Sequence, residues 1–251
     1  MKPRQASDGI PVTDGGCAVS LVIPLYCEKK RLSRYTPCYL EFLDQVADSE
    51  LVLVDDGSAD DTFVQIQALA AQYAAVRAVK LPAHLGKGAA CRAGILAACG
   101  KQILVSDCDL STPLNEYFRL RQRLQGCDLV IGSRRMQPAS IQVQPPLWRR
   151  CISWCGNRVV RRLTGLTYRD TQCGFKLLNS SRVKPLVAQT QLCGAGFDVE
   201  LIWMAERAGL KVGECGVSWA NRGGSRFSPW ALMATLVELI RLRRRMAPIQ
   251  R

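Results

Sequence analysis

Gln102-Ile103-Leu104-Val105-Ser106-Asp107-Cys108-Asp109 is an apolar run that stops on two carboxylates. Residues 102–106 are too few and too apolar for a surface helix and read as a short buried strand. The two aspartates then sit at its carboxyl end. On an extended chain residues i and i+2 share a face, so Asp107 and Asp109 are expected side by side. Carboxylates that close repel unless a cation or donor lies between them. Hard oxygen ligands suit Mg²⁺ or Mn²⁺, ions that keep positions open for substrate phosphates. The tripeptide Asp-x-Asp is common and weak alone, so its surroundings decide its meaning.

Upstream, residues 19–25 read as a buried strand and 32–46 as a helix. Residues 51–54 are a short apolar strand ending in Asp55-Asp56-Gly57-Ser58. Asp60 or Asp61 then caps a helix running to about Tyr73. Residues 76–81 form a third strand, and His84-Leu85-Gly86-Lys87-Gly88 opens an Ala-rich helix to Cys99. Downstream, Pro113 occupies the first turn of a helix to about Gln125, and 129–132 is a fifth strand. Strands separated by helices imply right-handed βαβ units, hence an α/β fold with a mainly parallel sheet flanked by helices. Ligands of such sheets bind beyond the carboxyl ends of the strands. Three acidic or Gly-rich segments, 55–58, 84–88 and 107–109, are expected there together.

The Gly-rich turn excludes two common nucleotide enzymes. A P-loop needs Gly at 81 and Ser or Thr after the lysine, where this chain has Leu81 and Gly88. A dinucleotide fingerprint needs Gly at 91, where Cys91 stands. A glycine-rich helix start with Lys87 still favours an anion. The single histidine, His84, and the lack of a Gly-x-Ser-x-Gly elbow leave no basis for a serine hydrolase.

The second half is less regular. Residues 145–163 read as a basic helix with Arg149, Arg150, Arg158, Arg161 and Arg162, 170–178 as a loop and strand, and 197–208 as a helix stopped at Gly209. Residues 212–219 read as a strand. Residues 230–245 form an amphipathic helix with Met233, Leu236, Val237 and Ile240 on one stripe and Arg241, Arg243, Arg244 and Arg245 at its end.

The net charge of +13 falls almost entirely on this half: residues 1–146 hold 16 Lys/Arg against 15 Asp/Glu, and 147–251 hold 18 against 6. The C-terminal part is thus expected to face an anion, whether nucleic acid, membrane surface or phosphorylated substrate. No nucleic-acid-binding motif is visible and aromatics are only 7% of the chain, so nucleic acid is not expected as a partner. The 12 cysteines lack paired zinc spacing, and many, such as Cys91, Cys99, Cys151 and Cys155, lie in apolar segments; they read as buried free thiols of a reducing compartment. No secretory signal pattern opens the chain, residues 1–16 are expected to be a disordered tail, and no apolar run approaches the ~20 residues that span a bilayer. The expected location is cytoplasmic, peripheral at the cytoplasmic membrane face.

At this point the motifs, in their order, carry a resemblance. Val22-Ile23-Pro24-Leu25-Tyr26-Cys27-Glu28, Val54-Asp55-Asp56-Gly57-Ser58, Gly86-Lys87-Gly88, Asp107-Cys108-Asp109 and Ile131-Gly132-Ser133-Arg134 resemble family 2 glycosyltransferases of the GT-A, Rossmann-like fold over residues 19–227. Arg169-Asp170-Thr171-Gln172-Cys173-Gly174-Phe175-Lys176 and Phe197-Asp198-Val199-Glu200 resemble the dolichyl-phosphate β-glucosyltransferase branch, with dolichyl-phosphate mannosyltransferases next.

The resemblance implies an inverting, metal-dependent hexosyltransferase moving glucose from UDP-glucose to a dolichyl or polyprenyl phosphate; another donor such as GDP-mannose, or a hydroxyl acceptor, is the alternative. By position it implies that Pro24, Tyr26, Glu28 and Asp56 hold uridine and ribose, with Lys87 near the nucleotide. Asp107 would contact the donor, and Asp109, with Asp107, would hold Mg²⁺ or Mn²⁺. Arg134, with Arg149 or Arg150, would bind the lipid phosphate, and Ser225-Arg226 would close over the donor diphosphate. Some relatives carry Gln as a further metal ligand where this chain has Ser111. The implied layout is a glycosyltransferase domain at 17–228, followed by a basic, acceptor-side helix and tail at 229–251; by its charge this helix is expected either to lie at an anionic membrane surface or to pack on the domain with a solvated basic end. A phosphate monoester has a second pKa of about 6 and needs no strong base. A hydroxyl acceptor would need one, from Asp170 or Asp198.

Overall fold

The computed structural model describes residues 17–136, 141–143, 147–220, 222 and 229–245. The first half alternates β1 (Val19–Leu25), α1 (Lys29–Gln45), β2 (Ser49–Asp55), α2 (Thr62–Gln72), β3 (Val76–Lys80), α3 (Lys87–Ala97) and β4 (Gln102–Val105). A 3₁₀ turn at Leu114–Glu116 leads into α4 (Tyr117–Leu124) and β5 (Leu129–Ser133). Then come β6 (Ile141–Val143), α5 (Leu147–Thr164), β7 (Lys176–Asn179), α6 (Ser180–Val187), α7 (Phe197–Arg207), β8 (Val212–Gly216), β9 (Trp219–Ala220) and α8 (Pro229–Arg245).

Seven strands form one sheet in the order β3-β2-β1-β4-β7-β5-β8, and β6 pairs with β9 separately. The sheet is parallel except for β7, which runs antiparallel to both β4 and β5. Side chains of a strand alternate between faces, and here both faces are dry. In β1, Leu21, Ile23 and Leu25 enter one core with Leu51 and Leu53 of β2 and the inner sides of α1 and α4. Val22, Val52, Val54, Ile103 and Val105 enter the other, beneath α3, α6 and α7. Covered faces explain why these strands read as unbroken apolar runs.

Close backbone packing sets the site's position. A Cβ on Gly94 of α3 would lie 2.4 Å from Val22 Cγ1 and 2.8 Å from Val54 Cγ2, so the helix rests directly on β1 and β2. Its first residue, Lys87, is thereby held beyond the carboxyl edge of the sheet. Register aligns that edge: Leu25 pairs with Asp55 and Val22 with Val105. Because β7 runs backwards, Val105 also pairs with Lys176, and the segment entering β7 crosses the same edge.

Several expectations are corrected. The 212–219 run is two short strands in different sheets, because residues 217–218 leave the main sheet. Pro113 precedes the helical segment, with extended φ −62°, ψ 144°. Cys99 is exposed rather than buried, and Arg77 donates to its Sγ at 2.9 Å; Cys91, Cys108 and Cys173 are buried, and burial pushes their thiols up to about 12, 12 and 11. The strand before Asp107 ends at Val105, so the pair Asp107/Asp109 lies on a turn rather than an extended strand. Leu110 N–H donates to Asp107 O at 3.1 Å, and Leu110 adopts φ 46°. Of the stripe expected on α8, Leu236 is half-buried against the core beside Thr235, Leu239 and Leu242, while Met233, Val237 and Ile240 point outward.

Candidate active site

The loops after β1 and β2 are stitched together. Asp56 N–H donates to Leu25 O, Cys27 N–H to Ser58 Oγ and Glu28 N–H to Thr62 Oγ1, at 2.8, 2.8 and 2.9 Å. Asp55 is fully buried and receives Ser58 N–H on both oxygens. Gly57 is required where it stands: φ is +68°, and a Cβ would meet Ala83 C at 2.3 Å.

Asp56 is 2% exposed and its carboxylate is already engaged. It accepts Leu85 N–H at 2.9 Å, Gly86 N–H at 2.9 Å and a contact from His84 Nδ1 at 2.8 Å. It thus anchors the turn that leads to Lys87. The His84 ring stacks on Tyr26 at 3.6 Å between centroids and 11° between planes. Tyr26 and Pro24 are half-buried at this edge, and Glu28 is held by Arg31 Nη1 at 2.7 Å.

Lys87 Nζ reaches Asp107 Oδ1 at 2.5 Å. Burial works against both charges, yet Asp107 and then Asp198 raise the lysine pKa. Against the same burial cost, Lys87, Lys176 and Arg134 hold Asp107 below the usual carboxylate range. Gly174 lies against this carboxylate: a Cβ there would meet Asp107 Oδ2 at 2.3 Å and Cγ at 2.6 Å. Asp107 is 42% exposed and can rotate away, but only by leaving Lys87. Gly174→Ala should therefore cost little stability, about 1 kcal/mol, and at least about tenfold in kcat/KM for the donor. Thermal unfolding and donor kinetics on one preparation check the split.

Asp109 is half-buried, and its Oδ1 accepts Ser111 N–H at 2.9 Å. Ser111 O in turn accepts Ala220 N–H at 2.8 Å, which brings β9 against the turn. Arg134 follows β5 and grips Asp170, with Nε at 2.7 Å from Oδ2 and Nη2 at 2.8 Å from Oδ1. Its guanidinium lies 5.6 Å from the Trp219 ring centroid. Asp170 is 3% exposed; burial would raise its pKa, but Arg134 pulls it below the usual range. Lys176, 2% exposed, donates to Asp198 Oδ1 at 2.5 Å and to Cys173 O.

The structure therefore brings Asp56, Lys87, Asp107, Asp109 and Arg134 to one edge of the sheet. Arg149 and Arg150 lie on α5, with their side chains outside what is described; Ser225 and Arg226 lie outside the described residues. Arg222, three residues before Ser225, packs over the Tyr35 ring at 5.4 Å. Gly174 and Lys176 belong to the site edge although no role was expected of them. The signal was Lys176 itself: a cation inside Phe175-Lys176-Leu177-Leu178 can be buried only with a partner. As a metal site, the described residues hold no cluster of three acidic, His or Cys side chains. Asp109 and Asp107 fit a Mg²⁺- or Mn²⁺-type ion only if diphosphate and water supply the other ligands, which is how such ions commonly bind.

Residues 20–184 match the family model "Glycosyl transferase family 2". The chain is 30% identical over 237 residues to a dolichyl-phosphate beta-glucosyltransferase of Trichomonas vaginalis, covering 89% of this chain and 72% of that protein. It is 30% identical over 243 residues to the Homo sapiens dolichyl-phosphate beta-glucosyltransferase, covering 90% and 75%. Among solved structures, glucosyl-3-phosphoglycerate synthase from Mycobacterium tuberculosis, in complex with Mn²⁺ and UDP-glucose, superposes with a TM-score of 0.58 at 18% identity, covering 89% of this chain and 76% of that one.

Proposed function

The chain belongs to glycosyl transferase family 2, and from that premise we propose that it transfers glucose from UDP-glucose, with inversion, to the phosphate of a dolichyl- or polyprenyl-type lipid. The observation that carries the acceptor assignment is the state of the two candidate bases. Asp170 is clamped by Arg134 and Asp198 by Lys176, so neither offers a free carboxylate. An acceptor that needs no base fits such a site, and a phosphate monoester is already largely ionised near neutrality. The dolichyl-phosphate beta-glucosyltransferases that resemble this chain over most of its length support the same choice.

In this reading Tyr26, Pro24 and Glu28 line the nucleoside end of the donor site. Asp56 acts through the 84–86 turn, whose backbone it ties down. Lys87 sits at the start of α3, where the helix end favours the donor diphosphate. Asp109 would hold the divalent cation with Asp107 beside it, and the cation would supply neutralisation of the leaving nucleoside diphosphate. Ser225-Arg226 would add positive charge to the same group. The edge of Arg134 not engaged by Asp170 would face the acceptor phosphate, with Arg149 or Arg150, and so align the attacking oxygen with the anomeric carbon. The transferase unit would span 17–228, and 229–251 would form its basic helix and tail. The acceptor would be met at the cytoplasmic face of a membrane; among the described residues, no helix is long and apolar enough to cross one.

The test is transfer from labelled UDP-glucose, with Mg²⁺ or Mn²⁺, to a polyprenyl phosphate, the matching polyprenol, or neither. Product is expected from the phosphate alone, with the rate falling as pH drops through about 6 and the phosphate dianion is protonated. Faster transfer to the alcohol would replace this acceptor with a hydroxyl, and faster transfer from GDP-mannose would replace the donor.

A further inference from the structure

Helix α8 has one face that the fold uses and one that it does not. Leu239 and Leu242, 1% and 4% exposed, belong to the core beneath α3, α6 and α7. On the opposite side Met233, Val237 and Ile240, spaced to fall on successive turns, are 55%, 41% and 38% exposed. A surface helix ordinarily places polar residues there. Arg241 and Arg243 are exposed as well, and at about 100° per residue they flank the apolar stripe by about 80° on either side. The neighbouring helix α5 packs against α8 and carries exposed Arg158, Arg161, Arg162 and Val159. An apolar stripe bordered by cations complements a surface with an apolar interior and an anionic rim. A second copy of the same face would bring together two surfaces that are both bordered by cations.

The helix is also one layer from the site. A Cβ on Gly196 would meet Glu238 Oε2 at 3.2 Å and Thr235 Cγ2 at 3.6 Å. The segment before Gly196 in turn carries the lysine turn: a Cβ on Gly86 or Gly88 would meet Cys193 O at 2.6 or 2.8 Å. Whatever surface α8 rests on lies close to Lys87.

We propose that the outward face of α8 is a docking surface for an anionic lipid bilayer, with Met233, Val237 and Ile240 seated at the headgroup–acyl boundary and Arg241 and Arg243 on lipid phosphates. The docking is independent of sugar transfer; its link to catalysis, delivery of a membrane-held acceptor, rests on the function proposed above.

The test uses the full chain and flotation with phosphatidylcholine vesicles, with and without phosphatidylglycerol. Wild type should float with the anionic vesicles only, and 1 M salt, where the screening length is about 3 Å, should weaken the binding. Met233→Asp/Val237→Asp should weaken it at least about tenfold. Arg241→Glu/Arg243→Glu should weaken it about twentyfold or more, at roughly fivefold per arginine near a charged membrane. Both variants should transfer sugar to a short, water-soluble prenyl phosphate at the wild-type rate and lose transfer to long-chain acceptor in vesicles. Wild type that ignores anionic vesicles, or variants that bind them as wild type does, would overturn the proposal. So would a dimer that Met233→Asp/Val237→Asp dissolves without change in vesicle binding. Failure of every protein on the soluble acceptor would instead overturn the transfer reaction and leave the vesicle result standing.

Discussion

Asp109→Asn should lower the transfer rate about 1,000-fold while shifting stability by less than about 1 kcal/mol. The two halves of that expectation have different sources. Within the described residues the Asp109 side chain makes one hydrogen bond, from Ser111 N–H at 2.9 Å. The amide oxygen of Asn can still accept it, so the turn should persist. What Asn lacks is the charge. If Asp109 is the protein's main ligand to the divalent cation, its loss removes neutralisation of the leaving diphosphate, worth several kcal/mol in the transition state; about 4 kcal/mol corresponds to the expected factor. Asp107→Asn should behave differently, because it also frees Lys87 from a 2.5 Å pair and leaves that cation facing the donor. It should alter donor KM as well as kcat. The measurement is initial rate against Mn²⁺ concentration for both variants, with thermal unfolding alongside. Asp109→Asn retaining more than about a tenth of wild-type rate would remove Asp109 from the metal role.

The parts of this molecule legible in its sequence are those where local pattern and burial agree. β1, β2 and β4 are covered on both faces, so their apolar runs mark them within a residue or two, and the loops that follow them coincide at the carboxyl edge as expected. The direction of β7 was not legible. Four residues, Lys176–Asn179, carry no sign of which way they run, and the reversal depends on how the chain returns after α5. That reversal matters most, because it delivers Asp170, Gly174 and Lys176 to the site. The turn at Asp107-Cys108-Asp109 was hidden because Leu110, not glycine, takes the left-handed conformation. For Asp56 the resemblance implies a nucleoside contact. Its engagement by residues 84–86 depends on a contact about thirty positions away that local pattern does not encode. α6, with Pro185 inside it, and the three-residue β6 carry too little periodicity to be read.

Lys176→Met is expected to be the most destabilising single change at the site, by ~3–5 kcal/mol, since it leaves Asp198 buried without its cation. Lys176 and Asp198 are 2% and 7% exposed, and the lysine also donates to Cys173 O, so solvent can replace neither bond. Asp198→Leu should cost a similar amount, because it strands the lysine. The double variant Lys176→Met/Asp198→Leu should recover more than half of either loss, as apolar replacements of buried pairs often do; strictly additive losses in denaturant unfolding would mean that the pair is not the coupled unit described here. The same set decides between acceptors. If Asp198 were the base for a hydroxyl acceptor, Asp198→Asn would lose far more rate than its loss of stability explains, and the acid limb of the pH–rate profile would vanish. If it is the counter-ion that holds Lys176 behind Asp107, stability and rate should fall together in Asp198→Asn and in Lys176→Met. A phosphate acceptor predicts the second pattern, because the nucleophile brings its own charge and the aspartate's work is to keep the lysine in place.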